Sequence, residues 1–192
     1  MDGIGLVVLL LGAQMALKTG DALIVLGAVL VGGLIGEALG IEERLGRFGD
    51  ALRARTGSNN WPRFTEGFVA ASILFCIGPM AIIGAIDDGL RGDYSVLAIK
   101  SILDGVSALA FASAMGAGVL FAAVPLFAYQ GSITLLAGLT ERLLSEGMVT
   151  EMTAAGGVII LGIGLRLLQI KQVRVANFLP ALLLAPLLAA VT

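Results

Sequence analysis

Long apolar runs, separated by short polar connections, constrain the fold of this chain more than any other feature. About seven of these runs have the length that a helix needs to approach or cross a bilayer core. Hydrophobic residues make up 58 % of the chain and charged residues only 14 %, whereas about a quarter of a soluble domain is charged. The sequence therefore predicts an all-α, polytopic transmembrane helix bundle that forms a single transmembrane domain over residues 1–192.

The apolar runs set the approximate bounds of the predicted spans, which we name helices A to G in chain order. They cover residues 4–17, 22–39, 64–86, 95–115, 119–139, 151–169 and 175–191. Residues 41–63 differ, because charged side chains there alternate with apolar ones at three- and four-residue steps. This pattern predicts an amphipathic helix at the membrane interface, followed by a loop over residues 57–62 that places Trp61 at interfacial height.

Basic residues in the short connections predict the orientation of the spans. The chain has 12 Lys and Arg residues. Eight of them lie in the 41–63 segment and around the connection between helices F and G, and four lie on the opposite side. Because cytoplasmic loops carry the excess of Lys and Arg, we expect the amphipathic segment and the N-terminus in the cytoplasm and the C-terminus outside.

Helices A and F match each other at an offset of 152 residues. Gly5 aligns with Gly157 and Gly12 with Gly164, and each helix is followed by a short turn and another apolar helix. The two helices are five spans apart, so they cross in opposite directions. The pair A–B is therefore predicted to be an inverted repeat of F–G, a plan common in secondary transporters. Helix B also has small residues at four-residue spacing, which predict close helix packing: Gly32, Gly36 and Gly40.

Helix C contains a predicted break at Gly78-Pro79. Proline has no N–H, so the carbonyl of Phe75 loses its usual partner within the helix. Ser72 and Cys76 lie on the same face as Pro79, which predicts a freed carbonyl, a hydroxyl and a thiol close together in mid-membrane. Broken helices of this kind form ion and substrate sites in transporters. The alternative is a packed proline kink in which Ser72 bonds back to its own helix.

Helix D has an ionisable pair in apolar sequence. Lys100 and Asp104 are four residues apart, so they can form an ion pair on one helix face. One interpretation is a structural pair. The other makes Asp104 an ion-binding or proton-carrying carboxylate, with Ser101 and Ser107 beside it and Lys100 in coupling or gating. Oxygen ligands favour Na⁺ or another hard cation, so Na⁺ and H⁺ are the ions we consider.

Several other polar residues are candidates for functional or structural roles. Glu66, in the first turn of helix C, is predicted either to cap the helix or to act as a gate. Tyr129 and Gln130 in helix E are predicted to line a path. Glu37 ends helix B, where the helix dipole disfavours it, so we expect a compensating cation from residues 44–55. Arg166 and Asn177 are expected to be interfacial anchors.

Composition argues against several classes of function. The net charge is −2 without a basic tract, which disfavours nucleic-acid binding. The chain has no histidine and a single cysteine, Cys76. No catalytic motif, metal site or cofactor site is recognisable, so we expect neither an enzyme nor a cofactor. The lipid bilayer is the expected partner, and the glycine stripes of helices B and F fit either internal packing or a homo-oligomer.

Several stretches resemble a known family: FTEGFVAASILFCIGPMAIIGAIDDGLRGD, KSILDGVSALAFASAMGAGVLFAAVPLFAYQG and KQVRVANFLPALLLAP. They are similar to the uncharacterised bacterial integral membrane proteins of the YdfK/YqgA-like group, over essentially the whole chain. The resemblance implies a multi-pass protein of the bacterial inner (plasma) membrane. It also implies one more apolar helix and a basic linker before the position of Met1. It supplies no substrate or reaction.

Taken together, these features predict a small secondary transporter or channel-like permease for a small solute or ion. Its site would lie near the midplane between residues 64–86 and 95–115. The alternative is a structural or regulatory membrane protein that transports nothing.

Overall fold

The computed structural model describes residues 2–55 and 63–191, and within these ranges the chain is helical without strands. Its α-helices are α1 (Asp2–Ala16), α2 (Ala22–Leu39), α3 (Ile41–Arg55), α4 (Phe64–Cys76), α5 (Pro79–Arg91), α6 (Ser95–Met115), α7 (Ala123–Leu135), α8 (Ala137–Leu143), α9 (Glu146–Leu167) and α10 (Ala181–Ala189). Two 3₁₀ helices span Ala117–Ala122 and Val175–Phe178. The prediction of an all-α transmembrane bundle is confirmed.

Apolar helices occupy all seven predicted positions in the described residues. Four are long and apolar enough to cross a membrane: Ala22–Leu39, Ser95–Met115, Ala117–Leu135 and Glu146–Leu167. The pair α4–α5 counts as a fifth if it is one broken span, because its halves are bent by 61°. The stretches Gly3–Ala16 and Val175–Ala189 are shorter. At 1.5 Å per residue, helices of that length extend about 20–25 Å, less than a hydrocarbon core of about 30 Å.

Several boundaries differ from the predicted ones. Helix C continues to Arg91, so the acidic residues at 87 and 88 are helical rather than part of a linker. Predicted helix E is divided into a 3₁₀ turn, α7 and α8. Helix α9 begins five residues before the predicted position, where Ser145 caps it by accepting a hydrogen bond from Met148 N at 3.3 Å. The predicted loop around Trp61 lies outside the described residues.

The chain divides into two compact units, each of which is described by itself. Unit 1 comprises Met1–Leu45 and Leu144–Thr192, so it is assembled from the two ends of the chain. Unit 2 is the continuous segment Gly46–Leu143. Helix α3 begins in unit 1 and ends in unit 2.

Unit 1 is built on the antiparallel contact of α1 with α9, in which the backbones approach closely. A Cβ atom added at Gly12 would lie 2.7 Å from Leu161 N, and one added at Gly164 would lie 2.7 Å from Leu9 Cγ. Cβ atoms essentially never come within 3.0 Å of another heavy atom. Glycine at these positions is therefore required by the neighbouring helix.

The partners in this contact agree with the 152-residue offset seen in the sequence. Gly12 faces Leu161, and the residues 152 positions away, Gly164 and Leu9, face each other in the same way. Gly5 likewise faces Leu168, while its counterpart Gly157 faces Ala16. Exchange of equivalent partners is the pattern that a two-fold axis produces. The inverted repeat stays a prediction, and these paired contacts are consistent with it.

Helix α2 packs against the end of the chain. A Cβ at Gly32 would clash with Ala181, and one at Gly36 with the Asn177 backbone, so these two glycines have the predicted packing role. Gly40 does not: it ends α2 in the left-handed conformation, with φ of 60°. Small buried residues fill the space between the helices: Val25, Ala28, Ala154, Ala155, Ala181 and Ala185.

Unit 2 has a core of large side chains centred on α4. Phe64 is fully buried and packs against Phe121, with ring centroids 5.4 Å apart. Phe75 packs edge-on against Phe111 of α6 at 6.4 Å. The first contact holds the start of α4 against the 3₁₀ helix, and the second holds the end of α4, where the helix breaks, beside α6.

Candidate functional site

Helix α4 ends in the middle of an apolar segment, at the predicted position. Its last residue is Cys76, Ile77 is extended, and Gly78 has φ of 149° and ψ of 148°. A positive φ of this size is readily accessible only to glycine. Pro79 then begins α5, where the lack of an N–H costs least. The local sequence therefore favours two half-helices with a 61° bend over one continuous helix.

The carbonyl left free by this break accepts a hydrogen bond from Lys100. The Lys100 Nζ atom lies 2.9 Å from the backbone oxygen of Phe75 and also forms an ion pair with Asp104, one turn along α6. The Lys100 side chain is 8 % exposed and that of Asp104 is 22 % exposed. Burying an ammonium is costly unless it is paired and hydrogen-bonded, and here it has both partners. The structure thus joins two features that the sequence indicated separately.

Cys76 lies near this ammonium, and Tyr129 lies near Cys76. The half-buried thiol of Cys76 interacts electrostatically with Lys100 and Asp104. Tyr129 in α7 interacts electrostatically with Cys76. The adjacent Gln130 has a buried Nε2 atom without a hydrogen-bond partner among the described residues. A buried amide in this state is a donor still available to a water or ligand.

The predicted serines do not converge on the ammonium. Ser72 donates to the carbonyl of Phe68 at 2.6 Å, which is the back-bonded alternative. Ser101 is exposed and donates to Ala98 O in its own helix at 2.8 Å. Ser107 is half-buried, one turn beyond Asp104. The group brought together around the break, here called the Lys100 site, comprises Phe75 O, Cys76, Lys100 and Asp104.

Glu66 lies at the other end of α4 and pairs with Arg63. The Arg63 Nε atom is 2.8 Å from Glu66 Oε2, and its Nη2 atom is 3.1 Å from Oε1. This hydrogen bonding raises the pKa of the Arg63 guanidinium. The geometry fits the capping role of Glu66 in the first turn of α4, and it places Glu66 outside the Lys100 site.

The predicted surroundings of Glu37 and Asn177 were wrong in detail. The cation beside Glu37 is Arg174, at 2.5 Å, rather than a residue of the 44–55 segment. Asn177 is only 4 % exposed and accepts a hydrogen bond from Glu42 N at 2.8 Å, so it is not an interfacial anchor. Its amide also bonds Glu37. The sequence separation of about 135 residues hid this network from pattern analysis.

Arg166 belongs to the same network through Glu42. One carboxylate oxygen of Glu42 accepts from Arg166 Nη1 and the other from Ala176 N, both at 2.8 Å. Glu42 therefore ties the start of α3 to α9 and to the second 3₁₀ helix. We call Glu37, Glu42, Arg166, Arg174 and Asn177 the Glu42 cluster.

Glu151 is a buried carboxylate that the sequence analysis missed. It is 5 % exposed and accepts three hydrogen bonds from the turn between α1 and α2. The donors are Thr19 Oγ1 at 2.6 Å, Gly20 N at 2.7 Å and Asp21 N at 3.2 Å. The one available signal was an acidic residue at the start of predicted helix F.

A groove of about 470 Å³ lies along α2 in unit 1. Its lining is apolar at one end and polar at the other: Val29, Leu30, Gly33, Leu34, Glu37, Lys171, Gln172, Val173, Arg174, Asn177 and Phe178. Its polar end coincides with part of the Glu42 cluster, where the charges already pair. Within residues 2–55 and 63–191, no three His, Cys, Asp or Glu side chains are grouped as metal ligands would be.

Comparison with known proteins assigns the chain to a family. Residues 1–190 match the family described as "Protein of unknown function (DUF554)". The chain belongs to this family. A relative from Bacillus subtilis (strain 168), "Uncharacterized membrane protein YdfK", is 37 % identical over 83 % of this chain and 66 % of its own length. "Uncharacterized protein YqgA" from Escherichia coli (strain K12) is 35 % identical over 98 % of this chain and 82 % of its own length.

These comparisons confirm the resemblance to the YdfK/YqgA-like group. This DUF554 member spans slightly less than two thirds of the Bacillus subtilis relative. The relative's name and the apolar helices together identify a membrane protein. No solved structure matches the chain, so the geometry of the Lys100 site has to be interpreted from this protein itself.

Proposed function

We propose that this protein is a small secondary transporter or channel-like permease for a small solute or ion. Its transport would be coupled to Na⁺ or H⁺ and would use the region between α4–α5 and α6. The proposed location is the inner (plasma) membrane of a bacterial cell.

The single observation that carries this proposal is the broken helix whose free carbonyl is bound by a buried charge. A structural bundle has no need of a break in a span or of an ammonium inside it, since both are costly in hydrocarbon. Discontinuous helices in transporters present exposed backbone groups where ions and substrates bind. Phe75 O, Lys100 and Asp104 have this arrangement.

The break also offers a physical basis for movement. Half-helices joined by an extended residue and a glycine can change their mutual angle with little cost to their internal hydrogen bonds. Lys100 links the end of α4 to α6 through one hydrogen bond at 2.9 Å. Weakening the Lys100–Asp104 pair would free this ammonium and allow α4 and α6 to separate. We propose that substrate binding at Asp104, or protonation of its carboxylate, triggers this step of alternating access.

The test begins with a ligand screen and ends with transport. Thermal unfolding of the purified protein in detergent, measured against a panel of ions and small metabolites, identifies ligands because a specific ligand stabilises the folded state in proportion to its occupancy. Each compound that stabilises the protein is then offered to proteoliposomes as a radiolabelled solute. Uptake by the wild-type protein and its loss to background in Asp104→Asn, which keeps a hydrogen-bond acceptor for Lys100, is the expected result.

Ser101→Ala is the matched control, because Ser101 lies on the same helix, is exposed and bonds only its own helix. It should transport at the wild-type rate. Normal uptake by folded Asp104→Asn would remove Asp104 from the mechanism. Failure of every stabilising compound to enter the liposomes would remove transport itself.

One observation favours the alternative of a non-transporting structural or regulatory protein. The charges of the Lys100 site are partners of each other, as in an ion pair that only holds α6 to α4. That role predicts equal unfolding temperatures in all ligands and no flux. The same two measurements therefore separate the alternatives.

A further inference from the structure

We propose that the Lys100 ammonium occupies a site for a small monovalent cation, so that the protein carries its own cation at the helix break. The role of this site in transport rests on the proposed function. It assigns the resident cation of the wild-type site to Lys100 and excludes free Na⁺ or K⁺ from that position.

The oxygen atoms around Nζ are those that a hard cation takes. A backbone carbonyl that has lost its helical partner and a carboxylate both face the same point, where Nζ lies 2.9 Å from Phe75 O and pairs with Asp104. Carbonyl and carboxylate oxygens are preferred by hard metal cations. An ammonium with three N–H donors satisfies the same oxygen atoms by hydrogen bonding.

Burial distinguishes Lys100 from an ordinary surface lysine. Its side chain is 8 % exposed, although lysines in membrane proteins usually extend toward the interface. Lys100 is the one Lys or Arg residue that is buried in the part of the chain that the structure describes. Asp104 is 22 % exposed, which leaves room for water to complete the coordination of a cation that replaced the ammonium.

Removing the ammonium should therefore create an empty cation site. In Lys100→Ala the oxygen of Phe75 loses its donor and the Asp104 carboxylate loses its charge partner, and both losses destabilise the protein. The missing propylammonium group, Cγ to Nζ, also leaves a space at the break. A free cation, or an alkylammonium of matching length, can enter that space and restore both interactions.

The experiment measures thermal unfolding of wild type and Lys100→Ala in detergent, with NaCl, KCl, n-propylammonium chloride or choline chloride at equal ionic strength. Lys100→Ala should unfold at a lower temperature than wild type in choline. At least one of the three small cations should raise its unfolding temperature by about 3 °C or more in a saturable manner. In wild type, KCl and the alkylammonium salt should give the same unfolding temperature as choline chloride, because Lys100 already occupies the site.

Three further variants make the result specific. Lys100→Ala combined with Asp104→Asn should lose the cation response, because the carboxylate is needed to bind a cation. Lys100→Met should respond less than Lys100→Ala, since its side chain fills most of the vacated space. Lys18→Ala, which removes an exposed lysine from the turn between α1 and α2, should behave as wild type does.

Every outcome decides the proposal. A folded Lys100→Ala protein that responds to none of the three cations overturns it. So does a Lys100→Ala protein that cannot be purified folded even when all three cations are present throughout. Recovery only with a cation supports it. Because the measurement is stability, the cation site can fail while transport is found, or hold while no transport is found.

Discussion

Unit 1 and unit 2 both contain buried charge, but they use it differently. In unit 1 the carboxylates of Glu42 and Glu151 accept backbone N–H groups at the starts of helical segments, where those groups lack partners within the helix. In unit 2 the charge at Lys100 binds a carbonyl at the place where a helix is interrupted. The first arrangement provides acceptors for N–H groups at helix starts. The second provides a donor for the carbonyl that a helix break leaves free.

The difference indicates how to separate structural from functional polar groups in a membrane protein. A buried carboxylate at a turn removes a cost that every helix end incurs, so its presence needs no further explanation. A buried ammonium within an apolar span adds a cost, because a continuous helix would have needed neither the break nor the charge. We therefore expect substitutions in unit 1 to change stability and conservative substitutions in unit 2 to change activity.

The largest expected effect tests the α1–α9 contact of unit 1. In Gly12→Val the new Cβ would lie 2.7 Å from Leu161 N and 2.8 Å from Gly157 O, so two backbones would have to separate. We expect a loss of about 4 kcal/mol in unfolding free energy, or failure to fold. Expression level and unfolding temperature in detergent measure it.

Gly3→Val in the same helix is the control for Gly12→Val. A Cβ at Gly3 meets nothing within 4 Å, so this variant should be close to wild type. Equal stability of the two variants would mean that α1 and α9 are not packed as described.

The second prediction concerns Glu151 and sharpens the comparison between the units. Glu151→Leu leaves the N–H of Gly20 without its acceptor and removes one of the two acceptors of Asp21 N, which keeps Thr19 Oγ1 at 3.1 Å, so it should cost about 2 kcal/mol. Glu151→Gln keeps an oxygen for both N–H groups and should lose about 1 kcal/mol or less. Chemical denaturation of the purified variants measures the difference.

The two amide substitutions Glu151→Gln and Asp104→Asn form a matched pair across the units. The first should leave transport at the wild-type rate and the second should abolish it, although each removes one negative charge. Loss of transport in Glu151→Gln with an unchanged unfolding temperature would indicate a functional role for the turn between α1 and α2. It would contradict the division between structural charges in unit 1 and functional charges in unit 2.

The smallest effect is expected at Gly78. Its φ of 149° disfavours any residue with a Cβ atom, yet a Cβ there meets nothing within 4 Å, so Gly78→Ala suffers only backbone strain of about 1–2 kcal/mol. Gly105→Ala also adds a Cβ in open space, but within α6, where alanine is preferred. A lower unfolding temperature for Gly78→Ala alone would show that the break has a defined conformation.

Most of the helices and the position of the break could be predicted from the sequence. Apolar runs locate the helices because a bilayer requires spans of nearly fixed length. Pro79 after Gly78 locates the break because both residues act locally: glycine permits a positive φ, and proline lacks the N–H that would continue the helix. The ion pair of Lys100 and Asp104 was also predictable, since four residues bring two side chains together on one helix face.

Interactions between helices distant in sequence could not be predicted in the same way. The bond from Lys100 to Phe75 O depends on how α4 and α6 pack, and the partners of Glu37 and Glu151 come from more than 130 residues away. Each carboxylate had several candidate donors that the sequence does not distinguish. Only the packing of the helices selects among these donors. The bond of Ser72 to its own helix was one of two options that the sequence left open, whereas the bond of Ser101 to its own helix was not foreseen.

The discontinuity of unit 1 has a consequence for biosynthesis. Helix α1 leaves the ribosome before the whole of unit 2, while α9, against which its glycines pack, follows only after residue 145. At translation rates of about 5–20 residues per second, the nascent α1 waits roughly 7–30 s for the whole of its partner. During that interval its glycine face is unprotected, so insertion chaperones or surrounding lipid must shield it until the last helices arrive.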